Sequence, residues 1–375
     1  MNKKKLNIDL QAYSMIFALI VIWALFYFLT NGIFISARNI SNLSIQMAVT
    51  AILTTGMVLV IVSGNIDLSV GSLMGMLGGF AAILQVNYGL GTTATIILTL
   101  LLGLFAGLFQ GFIVSYLRVP AFIVTLGGML AFRGILLGIT GSTISPMNRS
   151  FVVMGQSYVG NPFSTILAVL VAIGLALLLF LTQKRQMVAR TSKLTLVLKS
   201  IVPSILVLIY TLIVNTYRGI PVAVLIMVVT IAVFTFIAQN TTFGRGIYAI
   251  GGNAEAALYS GIKIQKVLLG VFVLQGFLSA LSGMVLAARL NAGTISAGRN
   301  LEMDVIAAAV IGGTSLAGGK GTVPGAILGA LVMASLDNGM SIKNVDAFWQ
   351  MILKGFILVV AVYIDVLNTE RKKTV

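Results

Sequence analysis

Asn65, Asp67, Ser69 and Ser72 fall within GNIDLSVGS, residues 64–72, between two long apolar runs. A carboxylate, an amide and two hydroxyls so close together can hold a polar solute or restart a helix. The Asp67 carboxylate can accept the backbone N–H of Ser69 or Val70, and it sets a negative charge at the positive end of the helix that follows. Gly64 and Gly71 permit backbone geometry that other residues resist. One reading is a tight turn at the cytoplasmic face, with Asp67 as an ordinary cap. The other is a discontinuous helix beside a pathway, since backbone groups freed inside a membrane survive only when buried in protein or lining a wet cavity.

Arg133, in LGGMLAFRGILLGITG, stands inside an apolar run. Such an arginine faces a cavity, finds a partner or snorkels to the interface. With Thr314 and Ser315 of the glycine-rich IGGTSLAGGKG, the residues expected along a pathway are Asn65, Asp67, Ser69, Arg133, Thr314 and Ser315. There is no cysteine and no histidine, so disulfides, thiol chemistry and histidine acid–base or metal chemistry are excluded. No metal cluster, nucleophile–base pair or pair of acids suggests an enzyme.

The elements that carry these residues follow from composition. Hydrophobic residues make up 58% of the 375, charged residues 9%, and the mean hydropathy is +1.07. Soluble domains carry about 25% charged residues. Uncharged runs of bilayer-crossing length recur instead. An all-α, polytopic membrane bundle is expected, with spans at 13–30, 43–63, 69–86, 92–117, 121–140, 164–182, 200–214, 219–238, 267–288, 304–316, 324–342 and 348–366. That is ten to twelve crossings, some half-length or re-entrant. The run from Tyr13 to Thr30 is longer than a signal-peptide core and lacks a small-x-small cleavage site, so it reads as a retained first span.

A formal charge of +15 does not point to nucleic acid here, because the basic residues lie between apolar runs and at both ends. Lys3, Lys4 and Lys5, the basic stretch 183–199 with five Lys or Arg, and Arg371–Lys373 all belong inside under the positive-inside rule, which puts both termini in the cytoplasm. Glycines at three- or four-residue spacing let spans approach closely, and packing accounts for most of them. A weak internal echo joins Asp67 and Asp304, each ahead of a small-residue helix, as in transporter repeats.

The segment FGRGIYAIGGNAEAALYSGI, 243–262, reads as a cytoplasmic connection. Asn253 is a good N-cap, Glu255 complements the dipole, Ala254, Ala256 and Ala257 favour helix, and Gly261 can end it. A helix of about 10 Å results, and alanines on its surface would fit a groove of another protein. It could equally be a connector that touches nothing.

EAALYSG, 255–261, resembles the EAA-x-x-x-G loop of bacterial ABC importer permeases. GNIDLSVGS, RVPAFIVTLGGMLAFRGI (118–135), GRGIYAIGGNAEAALYSGI (244–262) and AAAVIGGTSLAGGKGTVPGAILGALV (307–332) together resemble the ribose/xylose branch of that family, over about residues 43 to 366. The longer 164–214 region is most like xylose-type members; the Ile…Leu-Pro end of the longer EAA consensus is missing after Gly261.

The resemblance implies a single permease domain in the bacterial cytoplasmic membrane, with no cofactor of its own. ATP would be bound by cytoplasmic ABC ATPase subunits, and an extracytoplasmic sugar-binding protein would deliver a monosaccharide, xylose before ribose. Two copies of the chain would pair. Asn253, Glu255, Ala256, Ala257, Ser260 and Gly261 would couple to the ATPase. The chain itself agrees that it is not the motor: it has no G-x-x-x-x-G-K-[ST] loop, and GGKGT (318–322) lacks the spacing. The competing reading is a stand-alone secondary transporter, which would place paired carboxylates, histidines or lysines within its spans.

Overall fold

The computed structural model of the chain describes residues 10–186 and 193–373. Lys3–Lys5 and the middle of the 183–199 stretch lie outside the described residues. The chain is helical almost throughout, as its hydropathy requires. In order the helices are α1 (Leu10–Leu29), α2 (Ala37–Val62), α3 (Val70–Val86), α4 (Thr92–Ser115), α5 (Ala121–Thr140), α6 (Arg149–Gln156), α7 (Phe163–Gln186) and α8 (Lys193–Asn215). They continue as α9 (Val222–Asn240), α10 (Thr242–Gly252), α11 (Ala254–Tyr259), α12 (Ile264–Leu290), α13 (Leu301–Ile311), α14 (Val323–Ile342) and α15 (Ala347–Lys373). Two short strands, β1 (Tyr158–Val159) and β2 (Ile220–Pro221), pair antiparallel beside α7 and α9.

Among the described residues, six helices are long and apolar enough to cross a bilayer: α2, α4, α5, α9, α12 and α14. Shorter apolar helices add Met15–Leu29, Val70–Val86, Phe163–Leu177, Ile201–Asn215 and Ala347–Tyr363. The chain is a multi-pass membrane protein. Several edges differ from the hydropathy reading. α2 begins six residues before 43, because Ser36 caps it by accepting the Asn39 N–H at 3.4 Å. The expected span 304–316 is corrected to α13, which has only eleven residues. At 1.5 Å per residue that is about 16 Å, half a bilayer core.

α2 is apolar all round, the signature of a helix at the centre of a bundle. From Ala48 to Val62 every residue except Thr50 and Val49 is essentially closed to solvent, and those two are buried as well. α12 packs against it antiparallel: Ser282 Oγ–H donates to Val49 O at 2.8 Å, and Gly56 lies under Leu278. Small residues set the closest approaches. A Cβ on Gly103 of α4 would lie 2.6 Å from Gly276 O, and one on Gly78 of α3 would lie 2.8 Å from Gly283 O. Both backbones on α12 are met at a distance that only glycine allows.

Two helices start inside this bundle instead of at its ends. With Gly78 against Gly283, α3 runs beside the second half of α12 only, and its first turn lies at the depth of the α12 midpoint. Beyond Leu290, α12 is closed by Asn291 in the left-handed conformation (φ 52°). The chain then folds back along α3. Ala297 reaches Gly75, and Gly298 and Glu302 reach Gly71. α13 begins there and runs the other way, ending in loop 312–322, where the Gly319 N–H donates to Val62 O at 2.9 Å. The N-termini of α3 and α13 therefore meet inside the protein, pointing two positive dipole ends at one region. Broken helices meeting at mid-depth are a transporter architecture.

Candidate functional site: a polar cavity, a helix elbow and a terminal helix pair

The elbow ahead of α3 is held by its own polar residues. Asp67 Oδ1 accepts the Ser69 N–H at 2.8 Å and the Ser69 hydroxyl at 2.6 Å. Gln110 Nε2 on α4 donates to Ser69 Oγ at 2.9 Å, and Asn65 Nδ2 donates to Ser63 Oγ at 3.1 Å. The cap is built differently from the simplest expectation. Ser69 itself occupies the N-cap position, but its hydroxyl makes no capping bond to the N–H groups of α3, and Asp67 acts two residues earlier. Asp67 is 1% exposed and Ser69 is closed, so the cap itself is sealed from solvent, whereas Gly64 at the head of the elbow is exposed. Asp67→Asn keeps an acceptor oxygen and should retain most transport. Asp67→Leu strands the buried Ser69 N–H, a loss of about 1–3 kcal/mol, and leaves the Ser69 hydroxyl to donate only to Gln110 Oε1 at 3.3 Å, so transport should fall at equal membrane level. Equal, complete loss in both variants would show instead that the charge is required.

Arg133 finds partners. Its guanidinium donates to Ile295 O and Ala297 O, each at 3.1 Å, tying α5 to the fold-back segment. Thr314 and Ser315 are buried in loop 312–322, where the Ser315 hydroxyl and the Leu316 N–H donate to Asp365 Oδ2 at 3.2 Å.

A cavity of about 380 Å³ opens elsewhere, between α2, α12, the fold-back segment, α14 and α15. Its polar lining includes Gln46, Arg289, Arg299, Asp337, Gln350 and Lys354; Val49, Leu286 and Ala334 supply apolar wall. None of the six residues expected along a pathway lines it. At its floor, Lys354 Nζ is 2.8 Å from Asp304 Oδ2 and 2.8 Å from Asp337 Oδ1. The Asp304 side chain is 7% exposed and that of Asp337 34%, so one carboxylate is sealed behind the lysine and the other opens to the cavity. The sequence reading passed over Lys354. The signal was present: a lysine in the apolar run WQMILKGFILVV is a functional-site candidate by default.

At the other end of the bundle, α10 and α11 form a helix pair. Asn253 Oδ1 accepts the Ala256 N–H at 2.9 Å, Glu255 stands in the first turn of α11, and Ser260 Oγ–H donates to Ala256 O at 2.8 Å. Gly261 (φ 81°) ends the helix, with the Ile262 N–H donating to Ala257 O at 3.1 Å. The expected alanine face is corrected in one respect. Ala257 is 3% exposed and points into the chain, whereas Leu258 (59%) and Tyr259 (87%) project outward. The pair is anchored to the bundle, since the Tyr248 hydroxyl donates to Gly321 O at 2.7 Å and Gly251 packs against Val62 O and Gly319. Loop 312–322 thus joins α10, the end of α2 and the end of α13.

Among known proteins, the chain is 48% identical over 369 residues to the xylose transport system permease protein of Haemophilus influenzae, covering 97% of this chain and 98% of that one. The protein of the same name from Escherichia coli K12 is also 48% identical, over 96% of this chain and 92% of its own. The ribose import permease protein of Bacillus subtilis is 34% identical over 89% and 87%. No solved structure matches. A family described as the permease component of the branched-chain amino acid transport system matches residues 39–362, and with these broken helices, this buried polar floor and near full-length relatives, the chain belongs to that family of transport permeases.

Proposed function

We propose that this chain is the membrane subunit of an ATP-driven importer for a pentose, xylose first and ribose second. The observation that carries the reading is the near full-length identity to two xylose permeases, well above that to the ribose permease. The family's description names branched-chain amino acids, but the relatives most similar here are named for sugars. In this reading two copies pair in the bacterial cytoplasmic membrane with their termini in the cytoplasm. An extracytoplasmic binding protein delivers the sugar, and separate ABC ATPase subunits bind and hydrolyse ATP. Asn253, Glu255, Ala256, Ser260 and Gly261 build the α11 contact with the ATPase, the buried Ala257 seats α11 on the bundle beneath it, and Leu258 and Tyr259 form its protruding tip.

The Asp304–Lys354–Asp337 cluster favours a second reading, because a gradient-driven transporter would carry such a group within its spans. One experiment separates the two. The permease is reconstituted in vesicles with its ATPase and binding protein and offered labelled xylose, ribose or leucine. Uptake of xylose, then ribose, that needs enclosed ATP and survives an uncoupler is the expected result. Uptake by the permease alone on an imposed proton gradient would overturn it, and so would a preference for leucine.

A further inference from the structure

The cavity floor has an unusual division of labour. Lys354 holds two carboxylates at 2.8 Å, yet only Asp337 faces the open space. A carboxylate has about four acceptor positions, and one ammonium does not fill those of Asp337. The same cavity is lined by Arg289 and Arg299, whose guanidiniums are forks of fixed N–H donors, and by Gln46 and Gln350, whose amides carry both a donor and an acceptor. Acceptors and donors thus converge on a space of about 380 Å³, at the small end of the roughly 300–1,000 Å³ usual for ligand sites.

Resting on the transport reading above, we propose that this cavity is a binding site, within a single copy of the permease, for a neutral polyol of pentose size. Adjacent hydroxyls of the sugar donate to Asp337 and accept from Arg289 or Arg299. The lining carries three cations, Arg289, Arg299 and Lys354, against the one acid that faces it, so an anionic sugar is the competing occupant. It would leave the free acceptor positions of Asp337 without donors, and the phosphate arm of the binding test decides between the two. A branched aliphatic side chain would desolvate Gln46, Gln350 and the guanidiniums without a hydrogen bond in return, a cost for each group. A hydroxylated ring satisfies both signs of partner at once.

The test uses the full-length permease in lipid nanodiscs, without its binding protein, and equilibrium dialysis against labelled D-xylose, D-ribose, xylose 5-phosphate and L-leucine. Saturable xylose binding is expected, with weak or no binding of the phosphate and of leucine. Asp337→Asn leaves Lys354 paired with Asp304, and Arg299 is an exposed side chain, so both variants should remain folded, which melting of the purified protein checks. Asp337→Asn and Arg299→Gln should each weaken xylose binding by about tenfold, the loss of one hydrogen bond to a charged group. Undiminished xylose binding in both folded variants overturns the site, as does tighter binding of leucine or the phosphate. Absence of xylose binding while the assembled complex still imports xylose overturns the site and leaves the transport reading standing.

Discussion

Lys354→Met should cost the permease most of its folded yield, and neutralising its partners should restore it. The lysine sits between Asp304 on α13 and Asp337 on α14, so one side chain of α15 fastens three helices. Removing it leaves two carboxylates side by side, one of them almost sealed from solvent. Removing one member of a buried pair costs about 3–5 kcal/mol, whereas replacing the whole set by neutral groups is often nearly neutral. The yield of monodisperse protein and its melting temperature should therefore fall sharply in Lys354→Met and recover in Lys354→Met/Asp304→Asn/Asp337→Asn. The two acids should differ when changed singly beside Lys354→Met. Asp304→Asn should restore more than Asp337→Asn, because Asp304 is 7% exposed and Asp337 34%. A single variant Lys354→Met that melts with the unaltered protein would remove the cluster from any structural role.

What could be read along the chain was local. The Asn253 cap and the Gly261 stop each depend on partners within five residues, and both formed as their residue types dictate. The Asp67–Ser69 turn is equally local. Less was legible where distant segments decide. α10 contains four glycines in eleven residues, a composition that disfavours helix, and it is held instead by tertiary packing of Gly251 against α2 and loop 312–322. Hydropathy averaged over 304–316 reports apolar content but not where a helix stops, so which of the expected spans is half-length follows only from the turn at Gly312 that ends α13. Lys354 meets Asp304 across 50 residues, and no spacing rule predicts that encounter. Its presence in an apolar run was a visible anomaly, but its partners were not.

The inward turn of Ala257 changes how the proposed ATPase contact is best tested. A six-residue helix has fewer than two turns, and with alanine at three of its positions its sequence does not reveal which face is buried. Ala257→Trp would crowd the chain's own interior at about 1–3 kcal/mol, so a loss of transport would not distinguish misfolding from uncoupling. Leu258 and Tyr259 avoid that ambiguity, because they protrude and little of the fold leans on them. Exposed substitutions of this kind usually change stability by no more than about 0.5 kcal/mol. Buried in a partner's groove, the same two side chains would behave as anchors, each worth about 2 kcal/mol or more when truncated. Leu258→Ser/Tyr259→Ala should therefore insert and melt like the unaltered permease. Co-purification of the ATPase should drop by more than tenfold, and ATP-driven uptake should drop with it. Glu255→Lys should give a smaller loss of the same kind, since it reverses the charge at the exposed N-terminus of α11. Full ATPase recovery with the double variant would mean that the tip projects into solvent in the assembled transporter and that the contact lies elsewhere.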